Sequence, residues 1–331
     1  MPQPFRALVV RQTADGFSRA VEDTSTDDLP AGELLVEVAY SSLNFKDALS
    51  ATGNRGVTRS YPHTPGIDAV GTVAHSSDGR WSIGDEVLLT GFDLGMNTAG
   101  GWGRYVRVPA AWALRRPLGL DPHLCMLYGT AGLTAALSVD RLLQAGVEPD
   151  SGPVAVSGAS GGVGSIAVGI LARLGYDVHA ISGKEEAAAT LKRLGAAEVL
   201  PREVLADDGG KPLLKTQWAG AVDTVGGQPL ANLLKSTRWG GAVSCCGLVG
   251  GAELPLTVFP FILRGVSLLG VDSVECPLPT RQRLWQKLAT EWRPKGLEEL
   301  GQTCSLAELD DRIDAILKGH ITGRVVVDLG R

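Results

Sequence analysis

The stretch VAVSGASGGVGSIAVGILARLGYDVHAISGKEE, from Val154 to Glu186, decides the fold. A short apolar run meets a cluster of small residues, and a helix-like segment then leads to a second apolar run. Gly158, Gly161 and Gly164 have the spacing G-x-x-G-x-x-G. This order predicts a strand, a sharp turn, a helix and a second strand, which is the repeating unit of a doubly wound parallel sheet.

The glycine-rich corner of this unit predicts an anion site. The chain must turn sharply there, and a pyrophosphate must reach main-chain N–H groups with no Cβ in the way. The N-terminus of the following helix adds unpaired donors and a partial positive charge. We therefore expect dinucleotide binding at this corner. The alternative is a glycine-rich turn that only lets the helix pack closely on the strand.

The end of the second strand predicts which dinucleotide binds. NAD-binding units place an Asp or Glu there for the ribose 2′-hydroxyl, whereas this chain has Ser182, Gly183 and Lys184. A carboxylate would repel a 2′-phosphate, while a hydroxyl, a free N–H and an ammonium group would attract it. The sequence therefore favours NADP(H) over NAD(H). The alternative is that Lys184 only begins a solvent-exposed helix.

Two kinds of pattern divide the rest of the chain. Residues 5–117 show short strand-like runs with many Gly and Pro turns, which predicts a partly open β-barrel. Residues 124–273 alternate strand and helix patterns, which predicts a parallel sheet covered by helices on both faces. The tail holds two amphipathic helix patterns and the strand-like run GRVVVDL, too little to bury a core alone. We therefore predict an α/β protein with a cofactor domain at 125–274 and a discontinuous domain at 1–124 and 275–331.

Composition excludes several function classes. The formal net charge is −5 and the pI about 5.6, so nothing favours a nucleic-acid or membrane-surface partner. No apolar run reaches the roughly 20 residues of a spanning helix. The five cysteines are scattered and form no C-x-x-C pair, as is usual in a reducing compartment. We expect a cytoplasmic protein.

The whole chain resembles the medium-chain dehydrogenase/reductase superfamily, and within it the acrylyl-CoA reductase branch, close to the quinone oxidoreductases. The closer likeness is carried by SSLNFKDALSATG (41–53), YPHTPGIDAVGTV (61–73) and TGFDLGMNTAGGWGRYVRVPAAW (90–112), with SGASGGVG, SGKEE and GRVVVDL adding to it. The resemblance implies a GroES-like catalytic domain and a Rossmann cofactor domain, with cofactor and substrate between them. It also implies a homodimer that pairs along an edge strand of the cofactor-domain sheet, here VSLLGVDS (266–273).

The catalytic zinc ligands of alcohol dehydrogenases in this superfamily are not matched. Those enzymes use Cys, His and Cys with a Gly-His-Glu segment, where this chain has PGID (65–68). No cysteine precedes Cys125, and a lone His63 is more typical of a turn than of a ligand. We therefore expect no metal. Without a Lewis acid to polarise an alcohol or carbonyl, reduction of an activated C=C bond is favoured over alcohol oxidation.

The resemblance also implies roles for single residues. The catalytic candidates are Asn44, Lys46, Asp47 and Arg324. Asn44 would orient the nicotinamide or bind a thioester oxygen, and Arg324 would bind that oxygen or a phosphate. For Lys46 with Asp47 the alternative is a structural ion pair, and for Arg324 it is a solvated arginine. The family often has Tyr where this chain has Phe45, which removes a hydroxyl that could donate a proton.

Further candidates are contacts to cofactor and substrate. The implied cofactor contacts are Asn44, Gly158, Ser160, Gly161, Gly162, Val163, Gly164, Ser182, Gly183, Lys184, Leu248 and Ser273. Arg55 and Arg59 are candidates, by charge alone, for the phosphates of coenzyme A, with a solubilising role as the alternative. Asp68 would hold its loop through backbone hydrogen bonds.

These expectations together predict an NADPH-dependent oxidoreductase. It would reduce the C=C bond of a short α,β-unsaturated acyl-CoA, with acrylyl-CoA as the first candidate. A quinone or enal reductase on the same scaffold is the second interpretation, and a cofactor-binding protein without turnover is the third.

Overall fold

The computed structural model describes residues 2–206 and 209–330 and divides the chain into two compact units. The first unit comprises Met1–Thr130, Val274–Ala289 and Gly301–Arg331, and the second comprises Ala131–Ser273 and Thr290–Leu300. Relative to the predicted boundaries, residues 125–130 fall in the first unit and residues 290–300 in the second. The second of these differences has a packing reason, because a Cβ at Gly169 would lie 2.5 Å from Cβ of Pro294.

The first unit is built mainly from antiparallel strands. Strands β1 (Pro4–Thr13) and β2 (Gly16–Ser25) form a hairpin. The other strands of this unit are β3 (Leu34–Leu43), β4 (Asp68–Ser76), β5 (Glu86–Thr90), β6 (Tyr105–Val108), β7 (Leu114–Arg115), β14 (Gly301–Ser305) and β15 (Arg324–Asp328). They form a sheet of order β14-β15-β3-β4-β5-β7, with β6 paired to β3. The final strand therefore lies beside β3, as far as Leu43.

The helices of the first unit lie between its strands along the chain. They are α1 (Phe45–Ala51), α7 (Leu278–Ala289) and α8 (Leu309–Leu317), together with the first part of α2 (Pro122–Gln144). Helix α2, which the sequence analysis did not assign, has a non-helical residue at Gly129, with φ 50° and ψ −153°. The core is apolar and includes the fully buried Trp102, whose indole N–H donates to the Ser42 carbonyl at 3.0 Å.

The second unit is a parallel sheet. Its strands are β8 (Val154–Val156), β9 (Val178–Ser182), β10 (Glu198–Pro201), β11 (Trp218–Asp223), β12 (Thr237–Cys245) and β13 (Ser267–Gly270). Their order, β10-β9-β8-β11-β12-β13 with every pairing parallel, is the 3-2-1-4-5-6 order of dinucleotide-binding folds. The predicted fold class is confirmed.

The helices of this unit follow the strands along the chain. They are α3 (Gly162–Arg173), α4 (Ala188–Arg193), α5 (Gly227–Ser236) and α6 (Phe259–Arg264). Central strands are buried along their length, as Val154–Val156 and Trp218–Asp223 show, because a parallel sheet is covered on both faces. In the described part of the chain, no helix combines the length and the apolar character needed to cross a membrane.

Candidate active site

The glycine corner lies between β8 and α3. Gly158 has φ +59°, and a Cβ there would lie 2.4 Å from Oγ1 of Thr224. A Cβ at Gly164 would lie 2.3 Å from the Gly158 carbonyl oxygen, so glycine at 164 lets the helix approach the turn. Gly161 is the N-cap of α3, and its N–H donates to the Gly158 carbonyl at 2.9 Å. Glycine at 158 and 164 is therefore a packing requirement as well as a binding feature.

The start of α3 has the properties of an anion site. Its first turn begins at Gly162 and Val163 and carries no acidic residue. The first N–H groups of a helix have no intrahelical acceptor, and the helix dipole favours negative charge there. Ser160, directly before the N-cap Gly161, is buried, and its hydroxyl accepts from Oγ of Ser182 at the end of β9. This corner can hold a pyrophosphate.

Ser182 joins the glycine corner to the end of β9. Its hydroxyl donates to Oγ of Ser160 at 3.0 Å and accepts from the Lys184 backbone N–H at 3.1 Å. Burial lowers the pKa of Lys184, which Glu186 opposes. The structure thus brings together three predicted cofactor residues from two successive strand ends.

Arg202 is a residue that sequence reasoning missed at this corner. It follows β10, whose last residue, Pro201, is paired with Ser182. A Cβ at Gly183 would lie 2.8 Å from Cδ of Arg202, so the arginine side chain lies over the glycine. Its side chain is 78% exposed, which leaves the guanidinium accessible to a ligand. An arginine directly after the third parallel strand was the available signal.

A third strand end carries a buried acid. Asp223, the last residue of β11, accepts from Oγ of Ser157 at 2.7 Å and from the Gly226 N–H at 2.8 Å. Burial raises the pKa of Asp223. Each oxygen of this carboxyl accepts a hydrogen bond within the protein, and the two bonds connect the turn after β8 to the turn after β11.

Two predicted nicotinamide contacts occupy different environments in the second unit. Leu248, after β12, is 64% exposed. Ser273 is buried, and its hydroxyl accepts from Oγ1 of Thr134 at 2.8 Å. Their roles remain predictions.

The first unit contains a buried cluster of polar side chains, here called the polar cluster. Its members are Ser42, Asn44, Asp47, Asp68, Thr130 and Arg324. Three of its members, Ser42, Asp47 and Asp68, have no exposed surface. Because such groups lose water, their donors and acceptors must be paired within the protein.

Asp68 is the most heavily contacted acceptor of the polar cluster. Its Oδ2 accepts from Oγ of Ser42 at 2.6 Å and from Nδ2 of Asn44 at 2.9 Å. Its Oδ1 accepts from Oγ1 of Thr130 at 2.6 Å, and the Thr130 N–H lies 2.9 Å from both carboxylate oxygens. The prediction that Asp68 acts through backbone hydrogen bonds captures only the contact to the Thr130 amide.

Gly129 is needed for this contact. A Cβ at position 129 would lie 2.4 Å from Oδ2 of Asp68 and 3.0 Å from Nη2 of Arg324. Its backbone conformation is also one that residues with a side chain rarely adopt. The break in α2 therefore admits Asp68 and turns the Thr130 N–H toward it.

Asn44 has both ends of its amide engaged. Its Nδ2 has three acceptors, Oδ2 of Asp68, Oδ2 of Asp47 at 3.0 Å and Oγ of Ser42 at 3.1 Å, while Oδ1 accepts from Nη1 of Arg324 at 3.1 Å. Two amide hydrogens cannot serve three acceptors and a ligand, whereas the amide oxygen keeps a second lone pair. In this arrangement Asn44 offers a ligand an acceptor, which suits a carboxamide N–H better than a thioester oxygen.

Arg324 is held from several sides and is 3% exposed. Nε donates to the Leu127 carbonyl at 3.0 Å, Nη1 to the Leu43 carbonyl at 3.2 Å and Nη2 to Oγ of Ser42 at 3.1 Å. Burial lowers the pKa of Arg324, and the charges of Asp68 and Asp47 oppose that shift. The alternative of a solvated arginine is wrong.

Asp47 lies in the first turn of α1 and faces inward. Its Oδ2 accepts from the Asn44 N–H at 2.8 Å and its Oδ1 from the Ile67 N–H at 2.8 Å. Burial, reinforced by the charge of Asp68, raises the pKa of Asp47 to about 7 despite these donors. Lys46, its neighbour in sequence, is half-buried, whereas Asp47 has no exposed surface. Phe45, the first residue of α1, is 37% exposed and offers an apolar surface beside Asn44.

The two candidate phosphate ligands differ. The Arg55 guanidinium donates to Oε1 of Gln12 at 2.6 Å and lies 5.3 Å from the ring centre of Tyr61. Arg55 is thus committed to contacts within the first unit. Arg59 is exposed, and its backbone N–H donates to Oδ1 of Asn97 at 3.1 Å.

His63, the histidine considered above as a metal ligand, is engaged within the first unit. Nε2 of His63 lies 2.9 Å from the Gly95 carbonyl oxygen, and burial lowers the pKa of this imidazole. Within residues 2–206 and 209–330, no three His, Cys, Asp or Glu side chains are grouped as metal ligands.

The sheet order and the glycine corner of the second unit define a dinucleotide-binding protein of the doubly wound class. Family models agree with this and with the first unit. Residues 30–118 match the alcohol dehydrogenase GroES-like domain, and residues 162–290 match the zinc-binding dehydrogenase family.

Curated relatives extend the likeness to the whole chain. The putative quinone oxidoreductase YhfP of Bacillus subtilis is 48% identical over 98% of this chain and 99% of its own. The acrylyl-CoA reductase AcuI of Ruegeria pomeroyi is 45% identical over the same shares.

Two solved structures share the fold of the whole chain. The YhdH oxidoreductase of Salmonella enterica in complex with NADP has a TM-score of 0.95 and 44% identity, and YhfP with NAD bound has a TM-score of 0.95 and 47% identity. Each covers 98% of this chain and 99% of the other. The chain belongs to the medium-chain dehydrogenase/reductase superfamily of oxidoreductases.

The raised pKa of Asp47 predicts a pH dependence of stability. Between about pH 4 and pH 7 the folded protein holds a proton on Asp47 that the unfolded chain has released, so stability falls as pH rises through this range. An Asp47→Asn variant lacks this titration. The free energy of unfolding of the wild type should therefore drop relative to the variant by up to about 4 kcal/mol over that range.

Urea unfolding of both proteins at several pH values from about 4 to 8 measures this difference. His63 is present in both proteins and its titration cancels. Two curves that stay parallel with pH would show that Asp47 titrates in its ordinary range.

Proposed function

We propose that this protein is an NADPH-dependent reductase of the C=C bond of short α,β-unsaturated acyl-CoA thioesters, with acrylyl-CoA as the first candidate. The observation that carries the proposal is a strand end without an acid, formed by Ser182, Gly183 and Lys184, in a chain 45% identical to an acrylyl-CoA reductase. The overall reaction consumes NADPH, a proton and acrylyl-CoA and yields NADP⁺ and propanoyl-CoA.

The proposed cofactor rests on charge. Lys184 and the exposed Arg202 supply two cations near Gly183, and the Ser182 hydroxyl supplies a polar group. Such a set favours a 2′-phosphate over a bare ribose hydroxyl. YhdH of Salmonella enterica was solved with NADP, and YhfP was solved with NAD, so the preference is a matter of degree on this scaffold.

The residues divide the proposed chemistry among them. When bound, NADPH would supply a hydride for the β-carbon of the thioester. The N–H groups at the start of α3 would hold the pyrophosphate, and the amide oxygen of Asn44 would accept from the carboxamide. Asp47 and Arg324 are buried, so they act on the reacting groups through Asn44. Lys46 is half-buried and is the proposed source of the proton for the α-carbon.

The residue that would bind the coenzyme A part of the substrate is proposed from charge alone. Because Arg55 is occupied by Gln12 and Tyr61, Arg59 is the better candidate for a phosphate of coenzyme A. The second candidate function is a quinone or enal reductase, favoured by the 48% identity to the putative quinone oxidoreductase YhfP.

The proposed activity predicts a ranking of acceptors. NADPH oxidation should be fastest, by kcat/KM, with acrylyl-CoA, slower with crotonyl-CoA, and slowest with a benzoquinone and an enal. Loss of dihydronicotinamide absorbance measures each rate. The Arg59→Ala variant should raise KM for the thioesters and leave KM for the quinone unchanged.

Two results would contradict the ranking. A quinone rate far above both thioesters would establish the second candidate function instead. Binding of NADPH without turnover of any acceptor would identify a cofactor-binding protein.

The corner at Gly183 predicts cofactor preference. The Lys184→Glu and Arg202→Ala variants should each weaken NADPH binding by about tenfold or more, because each removes a charge-assisted contact to the 2′-phosphate. NADH binding should change little. Titration calorimetry with both cofactors measures the ratio.

Lys215→Glu is the matched control. Lys215 is exposed and lies on the segment before β11, at the opposite end of the strands from the corner. If this variant weakens NADPH binding as much as Lys184→Glu does, the effect is one of net charge and not of the corner.

We also propose that the protein is a homodimer through the edge of the second unit's sheet. Strand β13 ends the sheet order, and α6 before it exposes Ile262 (67%) and Leu263 (59%). An apolar patch beside a strand edge is suited to a second copy, whose β13 would extend the sheet. A twofold axis makes the same patch serve both partners.

Substitution on α6 predicts dissociation. The Ile262→Asp variant should be monomeric at concentrations at which the wild type is a dimer, because a carboxylate would be buried against the second copy. Sedimentation velocity measures the state. Leu118→Asp is the control, since Leu118 is 84% exposed in the first unit. A wild type that sediments as a monomer would rule out this interface.

A further inference from the structure

We propose that Thr130 is a positioning residue that orients the Asn44 side chain through Asp68. This inference rests on the proposed function, because Asn44 is a candidate site residue only within that function. It concerns contacts confined to the first unit, and no sequence motif pointed to it.

The first step is the contact between Thr130 and Asp68. Gly129 interrupts α2 with a non-helical backbone conformation, and the Thr130 N–H directly after it donates to Asp68. Thr130 then donates twice, from its backbone and from its hydroxyl, to one carboxylate. A side chain at position 129 would occupy the space of that carboxylate. The helix break at Gly129 and the two donors of Thr130 therefore act together to fix the rotation of the Asp68 carboxyl group.

The second step runs from Asp68 to Asn44. With Oδ1 held by the Thr130 hydroxyl, Oδ2 of Asp68 faces Ser42 and Asn44, at 2.6 and 2.9 Å. Both contacts need an acceptor at Oδ2, so they direct the Asn44 nitrogen toward Asp68. The Asn44 oxygen then faces Arg324, 3.1 Å from Nη1. If the Asp68 carboxyl group rotated, the Asn44 nitrogen would lose its charged acceptor, and the present orientation of the Asn44 amide would no longer be favoured.

The third step is the consequence for a ligand. Ser42 donates its hydrogen to Asp68 and accepts from Asn44 and Arg324, so its hydroxyl has no capacity left. The Asn44 oxygen, by contrast, accepts from Arg324 and keeps a second lone pair for a ligand. Its direction depends on Asp68, and through it on Thr130.

A matched pair of variants tests the proposal. Thr130→Val keeps the shape of the side chain and removes the hydroxyl, while Thr130→Ser keeps the hydroxyl and removes a methyl group. Positioning predicts that Thr130→Val lowers kcat with the best acceptor by about tenfold while KM for NADPH changes little, and that Thr130→Ser stays within about twofold of the wild type. A packing role predicts the reverse order, because valine fills the site better than serine.

Crystal structures of the two variants give a readout that is independent of turnover. In Thr130→Val, the Asn44 nitrogen should move beyond about 3.5 Å from Oδ2 of Asp68, while Thr130→Ser should keep the contact. An unchanged Asn44 in Thr130→Val overturns the proposal, whatever the activity. A wild type that reduces no acceptor, with Asn44 displaced in Thr130→Val, would instead refute the proposed function and leave the positioning intact.

Discussion

One buried carboxylate, Asp68, organises the first unit's polar cluster. It has no exposed surface and takes five hydrogen-bond contacts from Ser42, Asn44 and Thr130. Burying an acid without hydrogen-bond donors would destabilise the fold by several kcal/mol. The buried position of Asp68 therefore requires these donors. The site is thus a closed network, in which the orientation of Asn44 follows from residues that a ligand would not touch.

The second unit depends on a different constraint, the close approach of backbone to backbone. Gly158 and Gly164 let the turn after β8 and the first turn of α3 come within contact distance. Ser160 and Ser182 then link that turn to the next strand end. Because parallel strands present their carboxyl ends at one edge, three loops of different sequence meet where a phosphate-bearing ligand is expected. Their polar groups include the Lys184 and Arg202 cations, which suits an additional phosphate.

The sequence predicted what is local, and missed what is assembled over long separations. Glycine spacing within seven residues, followed by a helix pattern, was enough for the doubly wound sheet and its corner. The contact between Asp68 and Thr130 spans 62 positions and that between Ser42 and Arg324 spans 282, and no spacing within a segment shows which distant residue each one meets. Helix α2 was missed for a related reason, since its break at Gly129 serves Asp68 and its pattern is apolar on most sides.

The charges of the polar cluster explain why its acids differ in role. Arg324 can balance one carboxylate, and Asp68 has the larger set of donors. Asp47 adds a second negative charge to this buried site, and burial and Asp68 together raise its pKa to about 7. Protonation of Asp47 removes one negative charge from the buried cluster. The Asn44 backbone and side-chain nitrogens both donate to Asp47. Protonation or deprotonation of Asp47 therefore acts directly on the Asn44 side-chain amide, which the rest of the cluster holds in place.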